Sequence, residues 1–101
     1  MARETDIACN LDVFSVDERG EHIENTGSWR AAIAARQELA DGYRFELERR
    51  DGLLEAIARF ITLESRCCPF FSFSIEVPAE GPLALLVTGP EGSKEILGGV
   101  R

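Results

Sequence analysis

Apolar and polar positions alternate most cleanly in three stretches. Phe71-Ser-Phe-Ser-Ile-Glu-Val77 has an apolar side chain at every second residue, the period of a half-buried strand, and Tyr43-Arg-Phe-Glu-Leu-Glu48 repeats that pattern with Tyr43, Phe45 and Leu47 on the core face. Leu83-Ala-Leu-Leu-Val-Thr88 is a shorter, more continuously apolar run, and Ala79-Glu-Gly-Pro82 before it supplies the turn that joins it to Phe71–Val77 as a hairpin. Between these strands the period changes. Leu53, Leu54, Ile57, Phe60, Ile61 and Leu63 follow the three-to-four spacing of a core-facing helix, with Asp51 placed to cap its start and Pro69 unable to continue it, so Cys67 and Cys68 fall at its C-terminal end.

The first half is less sharply patterned. Asp6–Phe14 reads as an extended lead-in or edge strand that carries Cys9. Ser15-Val-Asp-Glu18 is a capping box, in which the Ser15 hydroxyl accepts from the Glu18 amide and the Glu18 carboxylate accepts from the Ser15 amide. It predicts a helix from Val16, short and superficial because its body is weakly apolar, ending near Gly27. Residues 28–39 admit two readings. Alanine content favours a helix from Ser28 to Leu39, but Asp41-Gly42 between two strand-like runs is a hairpin signal, glycine supplying a positive φ, and the hairpin is the preferred reading. Gly89-Pro-Glu91 opens a last short helix to about Leu97. The expected architecture over residues 1–101 is one α+β domain: helix, hairpin, helix, hairpin, helix, with an antiparallel sheet of about four strands and two or three helices packed on one face.

Composition and charge narrow the function. The chain of 101 residues is 45% apolar and 29% charged, enough for one core and too short for two ordinary domains. A net charge of −7 without a basic run argues against nucleic acid as a partner. No apolar stretch is long enough to span a bilayer, the first residues lack an apolar signal segment, and a cytoplasmic location is expected, with no membrane partner. Three cysteines, two of them adjacent, make a poor disulfide framework, since bridging neighbours strains the ring, so free thiols or metal ligands are the default.

Glu64-Ser-Arg-Cys-Cys-Pro-Phe-Phe71 is the most unusual stretch. Two thiolates can hold a soft ion once Pro69 pulls Cys68 out of helical geometry, with Cys9 as a third ligand. Monovalent copper, mercury, arsenic(III) and zinc are the ions such sulfur suits. Zinc would need a further ligand, for which His22 is the one histidine, although no paired C-x-x-C is present. Arg66 would favour thiolate, whereas the negative end of the helix would oppose it. The plainer reading is packing: cysteine behaves as a small apolar residue, and Cys67 follows Leu63 by one helical turn. His22 on a superficial helix would ordinarily meet water. Glu64 and Arg66 can orient a thiol or simply pair with other charges. Gly89–Gly92 lacks the spacing of a phosphate loop, and Trp29, Phe70, Phe71 and Phe73 read as core.

Cys9-Asn-Leu11, Leu39-Ala-Asp-Gly-Tyr43, Leu63–Phe71 and Thr88-Gly-Pro-Glu-Gly92 together resemble a family of small bacterial proteins that has no established activity. The resemblance covers most of the chain. It implies an association with heavy-metal-resistance functions and makes Cys9, Cys67 and Cys68 parts of one pattern, without giving any of them a role. Three readings follow, in order: a thiophilic-ion binding module using Cys67, Cys68 and Cys9; a structural or interaction domain with buried cysteines, its partner a protein or a second copy of the chain; and a thiol-dependent enzyme.

Overall fold

The computed structural model describes residues 10–97. After a single 3-10 turn at Leu11–Val13, the chain runs α1 (Val16–Ala31), β1 (Ile33–Leu39), β2 (Gly42–Leu47), α2 (Leu53–Cys67), β3 (Ser72–Glu76), β4 (Leu83–Thr88) and α3 (Lys94–Leu97). The α+β arrangement is as expected, with two hairpins in one antiparallel sheet. The sheet order is β1-β2-β4-β3, so the hairpins join through their inner strands, β2 and β4.

Strand alternation decides which face is buried. Phe45 opposes Leu85, which opposes Ile75, and Tyr43 opposes Val87, which opposes Phe73, so one face of the sheet is continuously apolar. Phe45, Leu47 and Leu85 are fully buried there beneath Ile57 and Leu63 of α2 and Trp29 of α1. The opposite face is polar: Arg44 donates to Glu46 at 3.0 Å and to Glu76 at 2.8 Å.

Local details depart from expectation in four places. The Asp41-Gly42 hairpin exists, but Gly42 pairs with Leu39 as the first residue of β2, leaving Ala40 and Asp41 as the loop, and its φ is not positive. Glycine is needed there because a Cβ would lie 1.9 Å from the Val87 carbonyl oxygen across the sheet. Asp51 does not cap α2. The cap is Gly52, at a φ of 79° that favours glycine, and no side chain bonds the helix end. The last helix is one turn, beginning at Lys94 instead of near Pro90.

Finally, α1 does not stop near Gly27 but continues to Ala31, because Trp29 is an anchor of the core, with its ring centroid 5.2 Å from that of Phe45 and 5.3 Å from that of Phe60. The capping box is present as read, with Ser15 Oγ accepting from Glu18 N–H at 3.1 Å and Glu18 Oε1 from Ser15 N–H at 3.0 Å. Among the described residues, no helix is long and apolar enough to cross a membrane.

Candidate functional site

The last turn of α2 builds the site. Glu64 and Cys67, three residues apart, share a helix face. Pro69 ends the helix, so Cys68 turns out of it at φ −129° and ψ 75° while its N–H still donates to the Glu64 carbonyl at 2.6 Å. The two sulfurs are 3.6 Å apart, and one donor atom each from Glu64, Cys67 and Cys68 lies within 4.8 Å of the others. Asn10 N–H donates to the Cys67 carbonyl at 2.9 Å, which fixes the start of the described chain against the same helix end. Cys9 lies outside the described residues.

The thiols are in different states. Cys67 is free and buried. Cys68 is disulfide-bonded, so a free thiol is found for Cys67 and not for Cys68. The bond does not link the two neighbours, in keeping with the strain of such a ring. Burial, and then the Glu64 carboxylate, push the Cys67 thiol above the ordinary value, the Asn10 amide opposing them. Arg66 does not serve the thiols as expected. Its guanidinium donates to Glu18 at 2.9 and 3.3 Å and to the Val13 carbonyl at 2.9 Å, and stacks on Phe14.

His22 is the residue most misjudged from sequence. It is buried instead of facing water, stacked on Phe60 at 5.2 Å and tilted against Phe14 at 5.3 Å, with Nε2 2.6 Å from Glu64 Oε1. Because a carboxylate accepts, Nε2–H donates to Glu64. His22 therefore approaches the sulfurs through Glu64 and is not itself in the Glu64–Cys67–Cys68 group. A pocket of about 330 Å³ beside this pair is lined by His22 and Trp29 of α1, Phe60, Glu64 and Cys67 of α2, Cys68, and Phe73 and Val87 of the sheet. The signal for it is faint in sequence. The inward face of α1 is His22, Asn25, Thr26 and Trp29, while Val16 and Ile23 are exposed, so apart from Trp29 the large apolar residues of this helix mark the wrong face.

Charge pairs clamp α1 to α2 around the pocket. Arg59 holds Glu21 at 2.6 and 3.1 Å, and Arg66 holds Glu18 well enough to bring its carboxyl down from 4.5 to about 2. A lowered carboxyl supports the fold fully above its ordinary range and loses that support as pH falls through the folded value. Urea midpoints should therefore drop between pH 4.5 and about 2 more in the wild type than in Glu18→Gln. Identical acid limbs would mean that the Arg66 pair contributes nothing to stability. Cys67 has the opposite sign: its folded value lies above 9.0, so the support is complete below 9.0 and is lost as pH rises through the folded value.

Compared with protein families, curated proteins and solved structures, the chain has no match in any of the three.

Proposed function

We propose that the chain binds a thiophilic metal or metalloid ion through Cys67, Cys68 and Cys9, once a thiol reductant has opened the disulfide at Cys68. The observation that supports this is the 3.6 Å separation of the two sulfurs. With metal–sulfur bonds of about 2.3 Å, two thiolates on one tetrahedral ion stand roughly 3.7 Å apart, so little movement is required. Cys9 directly precedes Asn10, whose amide is already bonded to Cys67, and the family-like pattern groups the same three cysteines. The raised thiol selects for ions that displace a proton from sulfur, such as mercuric, cuprous or arsenite species, over zinc. A reducing cytoplasm would keep the site in its binding state.

The test is titration of the fully reduced protein with mercuric, cuprous, arsenite and zinc ions, following thiolate-to-metal absorption. One ion per chain is expected, and Cys67→Ser with Cys68→Ser should weaken binding by more than the 10–100-fold typical of an outer-shell change. Binding equal in the wild type and the double variant would overturn the reading.

The burial of both cysteines, Cys67 at 2% exposure and Cys68 at 0%, favours a second reading, a non-catalytic domain in which the sulfurs are packing and the function is contact with a protein or a second copy of the chain. Under it, the thiols of the reduced, folded protein stay unreactive, and the double variant loses stability with no ion binding to lose.

A further inference from the structure

Two thiols can hold an ion in a straight line or at an angle, and their spacing distinguishes the two. With metal–sulfur bonds of about 2.3 Å, sulfurs 3.6 Å apart subtend an angle of about 103° at the ion. A linear dithiolate would hold them about 4.6 Å apart. The backbone resists that opening, since Cys67 closes α2 and the Cys68 N–H is bonded to the Glu64 carbonyl at 2.6 Å. Both side chains also sit in the buried core with Phe60, Leu63 and Phe71, where a change of rotamer obliges neighbours to move. Mercuric and cuprous ions in two-coordinate, linear form therefore fit the pair poorly.

Charge selects among the bent geometries. A net charge in an apolar core is costly unless it is paired. Here the neighbouring charge has the wrong sign for an anionic complex, because a Glu64 carboxylate oxygen lies within 4.8 Å of both sulfurs. Arg66, the cation next in sequence, is committed to Glu18 and the Val13 carbonyl. Three thiolates give a monovalent ion two excess negative charges, a divalent ion one, and a trivalent ion none. Two thiolates and a hydroxide leave a trivalent centre equally neutral, so the conclusion does not depend on the third ligand.

We propose that the ligand of this site is a trivalent metalloid taken up as its neutral hydroxide, with Cys67 and Cys68 supplying two of its three bonds. The inference rests on the ion-binding reading of Cys67, Cys68 and Cys9 and narrows its substrate class. Trivalent arsenic and antimony are pyramidal, a shape that accepts the bent angle of the two sulfurs and asks for no fourth ligand. With arsenous acid, each As–O bond that breaks sends its hydroxyl away as water with the proton of the thiol whose sulfur replaces it. Arsenic stays trivalent throughout, and no charge builds up in the core.

The unfolded chain holds the same cysteines without imposing an angle, so the test compares folded with unfolded protein. Urea midpoints are measured for the reduced chain, freed of reductant under argon, alone and with arsenous acid, mercuric chloride or zinc chloride. Arsenous acid at about a hundred times its dissociation constant should raise the midpoint by roughly 1 M, because it binds the folded state better. Mercuric chloride should lower the midpoint, and zinc chloride should raise it by less than half as much as arsenous acid. Cys67→Ser with Cys68→Ser should abolish the arsenous-acid shift. Glu64→Gln, which removes the like charge, should narrow the affinity ratio of arsenous acid to zinc by about tenfold. A mercuric or zinc shift as large as that of arsenous acid, with thiolate-to-metal absorption present, would overturn the metalloid assignment and leave ion binding standing. No shift and no absorption with any of the three would overturn both.

Discussion

Gly42→Ala is expected to melt about 12–24 °C below the wild type. The added Cβ would stand 1.9 Å from the Val87 carbonyl oxygen and 2.8 Å from the Thr88 Cα, both backbone atoms of β4 that cannot rotate aside. Relief requires β2 and β4 to separate, and these are the two central strands, paired from Gly42–Thr88 to Leu47–Leu83. Overpacking a well-filled site costs typically 1–3 kcal/mol and more where backbone must move, so about 3 kcal/mol is a reasonable expectation for this contact. For a domain of this size each kcal/mol is worth roughly 4–8 °C. Gly27→Ala is the natural control: nothing lies within 4 Å of its added methyl, and helix propensity should leave that variant equal to or slightly more stable than the wild type. Thermal melts followed by circular dichroism decide the matter. A Gly42→Ala midpoint within about 4 °C of the wild type would show that the strands part easily at this end.

Replacing Glu64 should act on both His22 and Cys67. The His22–Glu64 pair is mostly buried, with side-chain exposures of 11% and 18%. Glu64→Leu leaves the imidazole without its acceptor in an aromatic box, which is expected to cost about 1–3 kcal/mol. Glu64→Gln retains an oxygen that can accept from Nε2–H while removing the charge, so its loss of stability should be under ~1 kcal/mol. Both variants remove a carboxylate that pushes the Cys67 thiol up, and in both the thiol should titrate at a lower pH than in the wild type, though still raised by burial, the larger cause. Urea unfolding and ultraviolet thiolate absorption measure the two effects separately. A Cys67 titration unmoved in both variants would mean that the Glu64 carboxylate does not act on the sulfur.

The elements that were legible in sequence are those whose periodicity is complete. The apolar stripe of α2 and the alternation in β2 and β3 report directly which side chains are buried, and two hairpins flanking one strong helix leave few ways to arrange a sheet. The pair Cys67–Cys68 at the end of α2 followed from Pro69, because a proline ring excludes helical geometry before it. What was not legible depended on contacts between distant segments. His22 carries no apolar signature, and its burial is set by Phe14 and Phe60, which reach it from two other elements. Arg66 was read beside the cysteines because it is adjacent in sequence, yet its partner is Glu18 on α1, a choice made by helix packing. Gly42 was placed correctly for the wrong reason: the turn chemistry suggested backbone freedom, while the demand comes from a carbonyl across the sheet. The disulfide state of Cys68 was likewise beyond a reading of spacing.

The strand order also bears on colloidal behaviour. Among the described residues, β2 and β4 lie inside the sheet and its edge strands are β1 and β3. The β1 rim carries Arg36, Gln37 and Glu38 in succession, and β3 is five residues long with Ser72, Ser74 and Glu76 facing outward. Short rims studded with charge are poor templates for an incoming strand. Two copies meeting rim to rim would also bring together surfaces of the same net sign. The topology that encloses the most apolar strands thus also guards the molecule against polymerising through its sheet.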